Sequence, residues 1–77
     1  MTDKLEFDYA IKRAGLTREK VAKVLNVSEA TLSDRVNNKS IFRSNEIGKL
    51  MDLLKIESID ELKRIFLLKM LKIEKQE

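Results

Sequence analysis

The sequence predicts an all-α protein that folds as a compact bundle of about five helices. Proline is absent from the 77 residues and glycine occurs only at Gly15 and Gly48, so the chain has few residues that break helices. Apolar residues recur three and four positions apart in successive stretches, which is the spacing of a helix with one buried face. A chain of this length forms one domain over 1–77, which we divide into a four-helix core at 3–57 and a C-terminal amphipathic helix at 58–75.

The first helix is predicted between Asp3, which caps its N-terminus, and Gly15, which ends it. Glu6 stands three residues after Asp3, as the second member of a capping-box pair does. Four apolar residues at helical spacing form the buried face of this helix: Phe7, Ala10, Ile11 and Ala14.

Two short helices joined by a tight turn are predicted between Thr17 and Asn38. Thr17 caps the first of them, and Asn26 ends it in the left-handed conformation that asparagine tolerates better than most residues. Ser28 caps the second helix, which is predicted over Glu29–Asn37. The buried positions of the two helices and the turn are Val21, Ala22, Leu25, Val27, Leu32 and Val36.

This stretch resembles the helix-turn-helix of the phage Cro and repressor family. The resemblance rests on the caps, the buried positions and the end of the second helix: Thr17, Glu19, Val21, Ala22, Leu25, Val27, Ser28, Thr31, Leu32, Asn37, Asn38 and Lys39. It extends over 7–56 and implies a lambda-repressor-like fold whose second motif helix enters the DNA major groove. Asn26 and Asn38 stand where many members have glycine. Arg35 stands where many members have an apolar residue. We expect the neighbouring Val36 to pack into the core in place of that apolar residue.

A polar loop is predicted from Asn37 to Asn45, before a fourth helix that Ser44 caps. The buried face of this helix comprises Ile47, Leu50, Met51 and Leu54. Ile41 and Phe42 are large apolar residues within the loop. We expect both to fold back into the core, and the alternative is that they stay exposed to a partner.

The residues Ser58 to Glu61 form a capping box, which starts a fifth helix predicted to run to about Glu74. One apolar stripe of this helix is a candidate interface for a homodimer or another partner: Ile59, Leu62, Phe66, Met70 and Ile73. Further apolar residues widen the stripe beyond what a small core covers: Ile65, Leu67, Leu68 and Leu71. Completion of the monomer core is the alternative role for the inner stripe.

Positive charge is concentrated in one part of the chain. The whole protein carries a formal charge of +3, whereas 9–43 contains eight cations and three anions, which gives 8 − 3 = +5. The region from Ser44 to the end contains seven of each, which gives 7 − 7 = 0. A basic excess on the half that contains the helix-turn-helix favours a polyanionic partner such as double-stranded operator DNA.

The resemblance implies that the second motif helix reads bases through Ser28, Glu29, Ala30, Ser33, Asp34 and Asn37. We expect phosphate contacts from flanking residues: Thr17, Arg18, Lys23, Asn38, Lys39, Ser40, Arg43 and Asn45. Asn37 is suited to bidentate hydrogen bonding with adenine. The carboxylates of Glu29 and Asp34 are suited to accepting hydrogen bonds from cytosine amino groups. Because the same carboxylates oppose the phosphate charge, specific binding is expected to need two half-sites and therefore a dimer.

The acidic pair on this helix keeps a second function open. Some phage proteins with this type of domain act as anti-repressors, or modulators of repression, by binding the cognate repressor protein. Glu29 and Asp34 suit the basic DNA-reading surface of a repressor as well as they suit DNA. The sequence therefore predicts a DNA-binding regulator of the Cro type, with repressor binding as the alternative.

Several other functions are disfavoured by composition. The chain contains no His and no Cys, and it has no glycine-rich phosphate loop, so we expect neither an enzyme nor a metal or other cofactor. Asp3, Glu6 and Asp8 are explained by the helix dipole rather than by acid–base catalysis. No signal peptide is visible, and the longest apolar run, 65–68, is far shorter than a bilayer requires. We expect a soluble protein in the cytoplasm of a bacterial host cell.

Overall fold

The computed structural model describes residues 1–66, and all regular structure within them is helical. The five helices are α1 (Lys4–Arg13), α2 (Arg18–Leu25), α3 (Glu29–Val36), α4 (Ser44–Leu53) and α5 (Ile59–Phe66). The predicted all-α class is therefore confirmed. The predicted extension of the fifth helix to about Glu74 lies outside the described residues. None of the helices in residues 1–66 has the length and hydrophobicity needed to cross a lipid bilayer.

Side-chain caps begin three of the helices as the sequence predicts. The hydroxyl oxygen of Thr17 accepts the Lys20 N–H at 3.2 Å, and that of Ser28 accepts the Thr31 N–H at 3.0 Å. The Ser58 hydroxyl accepts the Glu61 N–H at 3.1 Å, but the Glu61 carboxylate pairs with Arg13 and not with the Ser58 N–H, so one half of the predicted capping box forms. Each bond satisfies an N–H group that would otherwise have no partner in the first helical turn.

The caps of α1 and α4 differ from the prediction in one detail each. The Asp3 carboxylate accepts the Glu6 N–H at 3.1 Å, but the backbone N–H of Asp3 donates to the Ile65 carbonyl at 2.7 Å and not to the Glu6 side chain. The N-terminus of α1 is thus attached to α5. Ser44 is the first residue of α4 rather than its cap, because the carboxylate of Glu46 accepts the N–H of Arg43 at 2.9 Å and makes Arg43 the cap residue.

The first four helices end in the same way. A residue with positive φ follows each: Gly15 (+73°), Asn26 (+62°), Asn38 (+65°) and Lys55 (+56°). The next N–H then donates to a carbonyl five residues earlier, as in a Schellman motif; the pairs are Leu16–Ile11, Val27–Ala22, Lys39–Asp34 and Ile56–Met51. The predicted left-handed Asn26 is confirmed, whereas no feature of the sequence predicts the left-handed Lys55.

All five helices contribute buried residues to one core, in which α1 packs against α5, and α2 packs against both α3 and α4. Its central feature is an aromatic cluster in which the Phe42 ring lies 5.8 Å from that of Phe7 and 5.6 Å from that of Phe66. Phe42 thus folds back as predicted. The same prediction is wrong for Ile41, which is 76% exposed because its carbonyl, rather than its side chain, turns inward to the guanidinium of Arg35.

The buried face of α3 is wider than predicted. Leu32 and Val36 are fully buried, as expected, but Arg35 is buried beside them. Its guanidinium forms an ion pair with Glu46 of α4, which is also buried. Val36 therefore packs in addition to Arg35 and does not replace it.

Helix α5 contributes mainly to the core of the chain. Leu62, Ile65 and Phe66 are buried, so Leu62 and Phe66 are core residues and not the surface residues that the predicted interface required. Ile59, at the start of α5, is 55% exposed. The other members of the apolar stripe, Leu67, Leu68, Met70, Leu71 and Ile73, lie outside the described residues.

Candidate nucleic-acid interface

Helix α3 presents one face to the core and the opposite face to solvent. Its exposed side carries Glu29, Ala30, Ser33, Asp34 and Asn37, which recur at helical spacing, and Ser28 lies exposed at its cap. We call these six residues the reading face. Ser33 is partly buried and the others are exposed, and within residues 1–66 no element covers them.

The reading face is held at a fixed angle by α2. Ala22 is small and nearly fully buried, as is required where two helix backbones lie close together. Val27 packs against the core at the corner between the helices. The left-handed Asn26 turns the chain, and the Ser28 cap starts α3 at once. The helix-turn-helix is therefore a rigid unit whose outward face is set by buried contacts on its other side.

Polar groups on the reading face are partly ordered by local hydrogen bonds. The side-chain amide of Asn37 donates to the Ser33 hydroxyl at 3.2 Å, which orients an amide suited to reading adenine. The Ser28 hydroxyl accepts the Thr31 N–H and donates to the Thr31 hydroxyl at 3.0 Å. The hydroxyl hydrogen of Ser28 is thus used in the bond to Thr31, so this hydroxyl is available to a partner mainly as a hydrogen-bond acceptor.

Six of the eight residues expected to contact phosphates are exposed, at the two ends of α2, in the loop after α3 or in the first turn of α4: Thr17, Lys23, Lys39, Ser40, Arg43 and Asn45. We call residues 37–43 the linking loop, since it joins α3 to α4. Lys39, Ser40 and Arg43 belong to it. The N-termini of α2 and α4, at Thr17 and Arg43, carry the free N–H groups and the positive dipole end that favour anions.

The other two residues, Arg18 and Asn38, are engaged within the chain. The Nε and Nη2 atoms of Arg18 donate to one carboxylate oxygen of Asp8 at 3.0 and 2.9 Å. The Asn38 side chain accepts from the Thr2 N–H at 2.7 Å and donates to the Thr2 carbonyl at 3.0 Å. Asn38 therefore fixes the N-terminal segment, and the charge of Arg18 is largely balanced by the carboxylate of Asp8.

Ion pairing reduces the positive charge that the sequence predicts for this half of the chain. Within residues 1–66, Arg13 pairs with Glu61, Arg18 with Asp8 and Arg35 with Glu46. All three arginines lie in 9–43 and all three carboxylates lie outside it, so the excess there falls from +5 to 5 − 3 = +2. The basic excess expected on this half of the chain is therefore smaller than the sequence indicates.

The buried pair between Arg35 and Glu46 is the feature of this region that the sequence argument missed. Arg35 follows Leu32 by three positions, and Glu46 precedes Leu50 by four, so both stand at buried spacing on their helices. That spacing was the available signal. The spacing alone does not predict the pair, because a charged residue at such a position is more often solvated than buried.

A family model described as helix-turn-helix matches residues 9–62, more than two thirds of the 77 residues. The match includes α2, α3 and α4 in full. Searches of curated proteins and of solved structures gave no match.

Proposed function

This chain belongs to the helix-turn-helix family of DNA-binding transcription regulators, and on that premise we propose that it is a regulator of the phage Cro/repressor type, acting in the bacterial host cell. In this proposal α3 enters the major groove of operator DNA. The observation that supports it best is the outward reading face of α3, held by buried contacts to α2 and left uncovered by residues 1–66.

Base recognition is assigned to the reading face. Asn37, oriented by its bond to Ser33, is placed to bond adenine, and the methyl group of Ala30 to meet a thymine methyl. Glu29 and Asp34 are each able to accept from a cytosine amino group. A good bidentate pair contributes about 1–3 kcal/mol of discrimination, so most of the specificity of one subunit comes from Asn37.

Phosphate contacts are assigned to the exposed groups around this face. Lys23, Lys39 and Arg43 supply positive charge, and the N-termini of α2 and α4 supply free N–H groups near Thr17 and Asn45. Because ion pairs reduce the net charge of 9–43 to +2, the sequence-independent attraction of one subunit is modest. We therefore propose that the protein binds as a homodimer to two half-sites, with the exposed Ile59 of α5 at the subunit contact.

Binding can be tested by fluorescence anisotropy with duplexes from the promoter region beside the gene, over a range of salt concentrations. Arg43→Ala is expected to weaken binding to every sequence and to reduce the salt slope by about 1, whereas Asn37→Ala is expected to relax specificity at one base step. Arg64→Ala, which removes the same charge from an exposed position on α5, is the matched control and is expected to leave the affinity and the salt slope unchanged. Absence of binding by the unmodified protein at low salt would refute the proposal.

A second function is favoured by one specific observation. Glu29 and Asp34 are both exposed on the reading face, where they form an acidic pair suited to the basic DNA-reading surface of a cognate repressor. In this alternative the protein is an anti-repressor that binds the repressor through α3. Asp34→Lys then abolishes co-purification with the repressor, while circular dichroism shows the fold intact. Undiminished co-purification of that variant would exclude the alternative.

A further inference from the structure

We propose that the buried ion pair of Arg35 and Glu46 positions the linking loop, and in particular Arg43, for contact with the DNA backbone. Neither residue touches DNA in this proposal, and both act through the loop. The inference rests on the proposed function, because the phosphate contact of Arg43 is itself part of that function.

The ion pair connects the end of α3, the linking loop and the first turn of α4. Arg35 is 8% exposed near the end of α3, and Glu46 is 5% exposed in the first turn of α4. The Nε atom of Arg35 lies 3.3 Å from the Glu46 carboxylate and donates to the carbonyl oxygen of Ile41 at 3.2 Å. The same carboxylate oxygen accepts the N–H of Arg43 at 2.9 Å. One buried pair therefore fixes two backbone groups in the second half of the linking loop.

The first half of the loop is held by other contacts. The N–H groups of Lys39 and Ser40 donate to the Asp34 carbonyl at 2.8 and 3.3 Å, as part of the end of α3. Beyond them, Phe42 anchors the chain through its ring in the core. A ring anchored in the core does not fix the backbone direction of the next residue. The hydrogen bond from the Arg43 N–H to Glu46 therefore sets the position of the Arg43 backbone.

Stability alone does not account for two charges at this place. The Nη1 atom of Arg35 is buried and has no hydrogen-bond partner within residues 1–66. Burying charged groups costs desolvation free energy, and well-packed apolar residues often replace a buried ion pair without loss of stability. An apolar pair, however, offers no bonds to the Ile41 carbonyl or the Arg43 N–H. Those two directed bonds are what the ion pair adds.

The double variant Arg35→Met/Glu46→Leu removes the pair without changing the net charge, since one cation and one anion are lost. Its matched control is Arg13→Met/Glu61→Leu, which removes the ion pair between α1 and α5. Each is combined with Arg43→Ala in a double-mutant cycle. Binding to a mixed-sequence duplex of about 20 base pairs is measured by anisotropy at several salt concentrations, because phosphate contacts are independent of sequence.

We expect loss of the Arg35–Glu46 pair to weaken binding about fivefold and to reduce the salt slope by about 1, the value for one phosphate contact. Arg43→Ala then has less than about a twofold further effect, whereas it keeps its full effect in the control background. Full additivity in both backgrounds, with the double variant folded, overturns the proposal.

Two further outcomes are informative. If the double variant does not fold, the same cycle is measured with Glu46→Asp, which keeps the charge but withdraws the carboxylate from the Arg43 N–H by one methylene. Additivity there overturns the proposal as well. If the unmodified protein binds no duplex at low salt, the proposed function fails and this inference fails with it, whereas binding with full additivity overturns this inference alone.

Discussion

Lys55→Gly is predicted to stabilise the protein. Lys55 follows the last turn of α4 with φ of +56°, and its N–H and that of Ile56 donate to the carbonyls of Asp52 at 3.3 Å and Met51 at 2.9 Å. The buried Ile56 holds this helix end against the core. The chain is thus required to take a left-handed conformation at a residue with a long side chain.

The size of the effect follows from two opposing terms. A left-handed conformation costs a residue with a side chain about 1–2 kcal/mol, which glycine avoids. Glycine in turn loses about 0.5–1 kcal/mol more conformational free energy on folding. The expected net gain is about 0.7 kcal/mol, which corresponds to a rise in Tm of about 3–6 °C for a domain of this size. Thermal unfolding followed by far-UV circular dichroism measures it.

Lys49→Gly is the matched control, because it makes the same substitution in the middle of α4 at an exposed residue. There the backbone is helical, and glycine is expected to lower stability by about 1 kcal/mol. The two variants lose the same charge and differ only in the conformation required at the site. A Tm for Lys55→Gly at or below that of the unmodified protein would show that the left-handed ending of α4 is not the native conformation.

Three further predictions concern single residues. Phe42→Ala is expected to lower the free energy of unfolding, measured by chemical denaturation, by about 3–5 kcal/mol because it removes one ring of the aromatic cluster. Ile41→Ala, one residue away and exposed, is expected to change it by less than about 0.5 kcal/mol. Thr17→Ala removes the cap of α2 and is expected to cost about 1 kcal/mol in the same assay. Asp34→Asn is expected to tighten binding to mixed-sequence DNA about threefold in anisotropy titrations by removing a negative charge near the phosphates, with Asp60→Asn on α5 as the control.

The local features of the fold were predictable because they depend on neighbours in the sequence. The caps at Thr17, Ser28 and Ser58 follow from short polar side chains placed before helical periodicity, and the left-handed Asn26 from a turn that must reverse direction at once. The outward placement of the α3 residues follows from the same periodicity. Each of these features is decided within about one helical turn.

Features that depend on distant residues were not predictable in the same way. The N–H of Asp3 donates to the carbonyl of Ile65, near the other end of the described residues, and Asn38 bonds to Thr2, 36 residues away. No local sequence pattern predicts either contact. Lys55 takes a left-handed conformation because Ile56 must reach the core, not because lysine favours it. Tertiary packing overrides local preference at such places.

The charge of the interface shows most clearly why adding up the formal charges along a sequence does not give the charge that a surface presents. The three arginines of 9–43 that pair within residues 1–66 find carboxylates outside that segment, up to 48 residues away. Arginine is well suited to such pairs, because its planar guanidinium carries several N–H donors. Two of those of Arg18 donate to one Asp8 oxygen, and the Nε of Arg35 donates to the Ile41 carbonyl while the guanidinium forms an ion pair with Glu46. Lysines at 23 and 39 remain exposed with Arg43. In the proposed function, attraction to phosphate therefore depends on few charges, so we expect the position of each, and of Arg43 above all, to have a larger effect on binding than the total charge does.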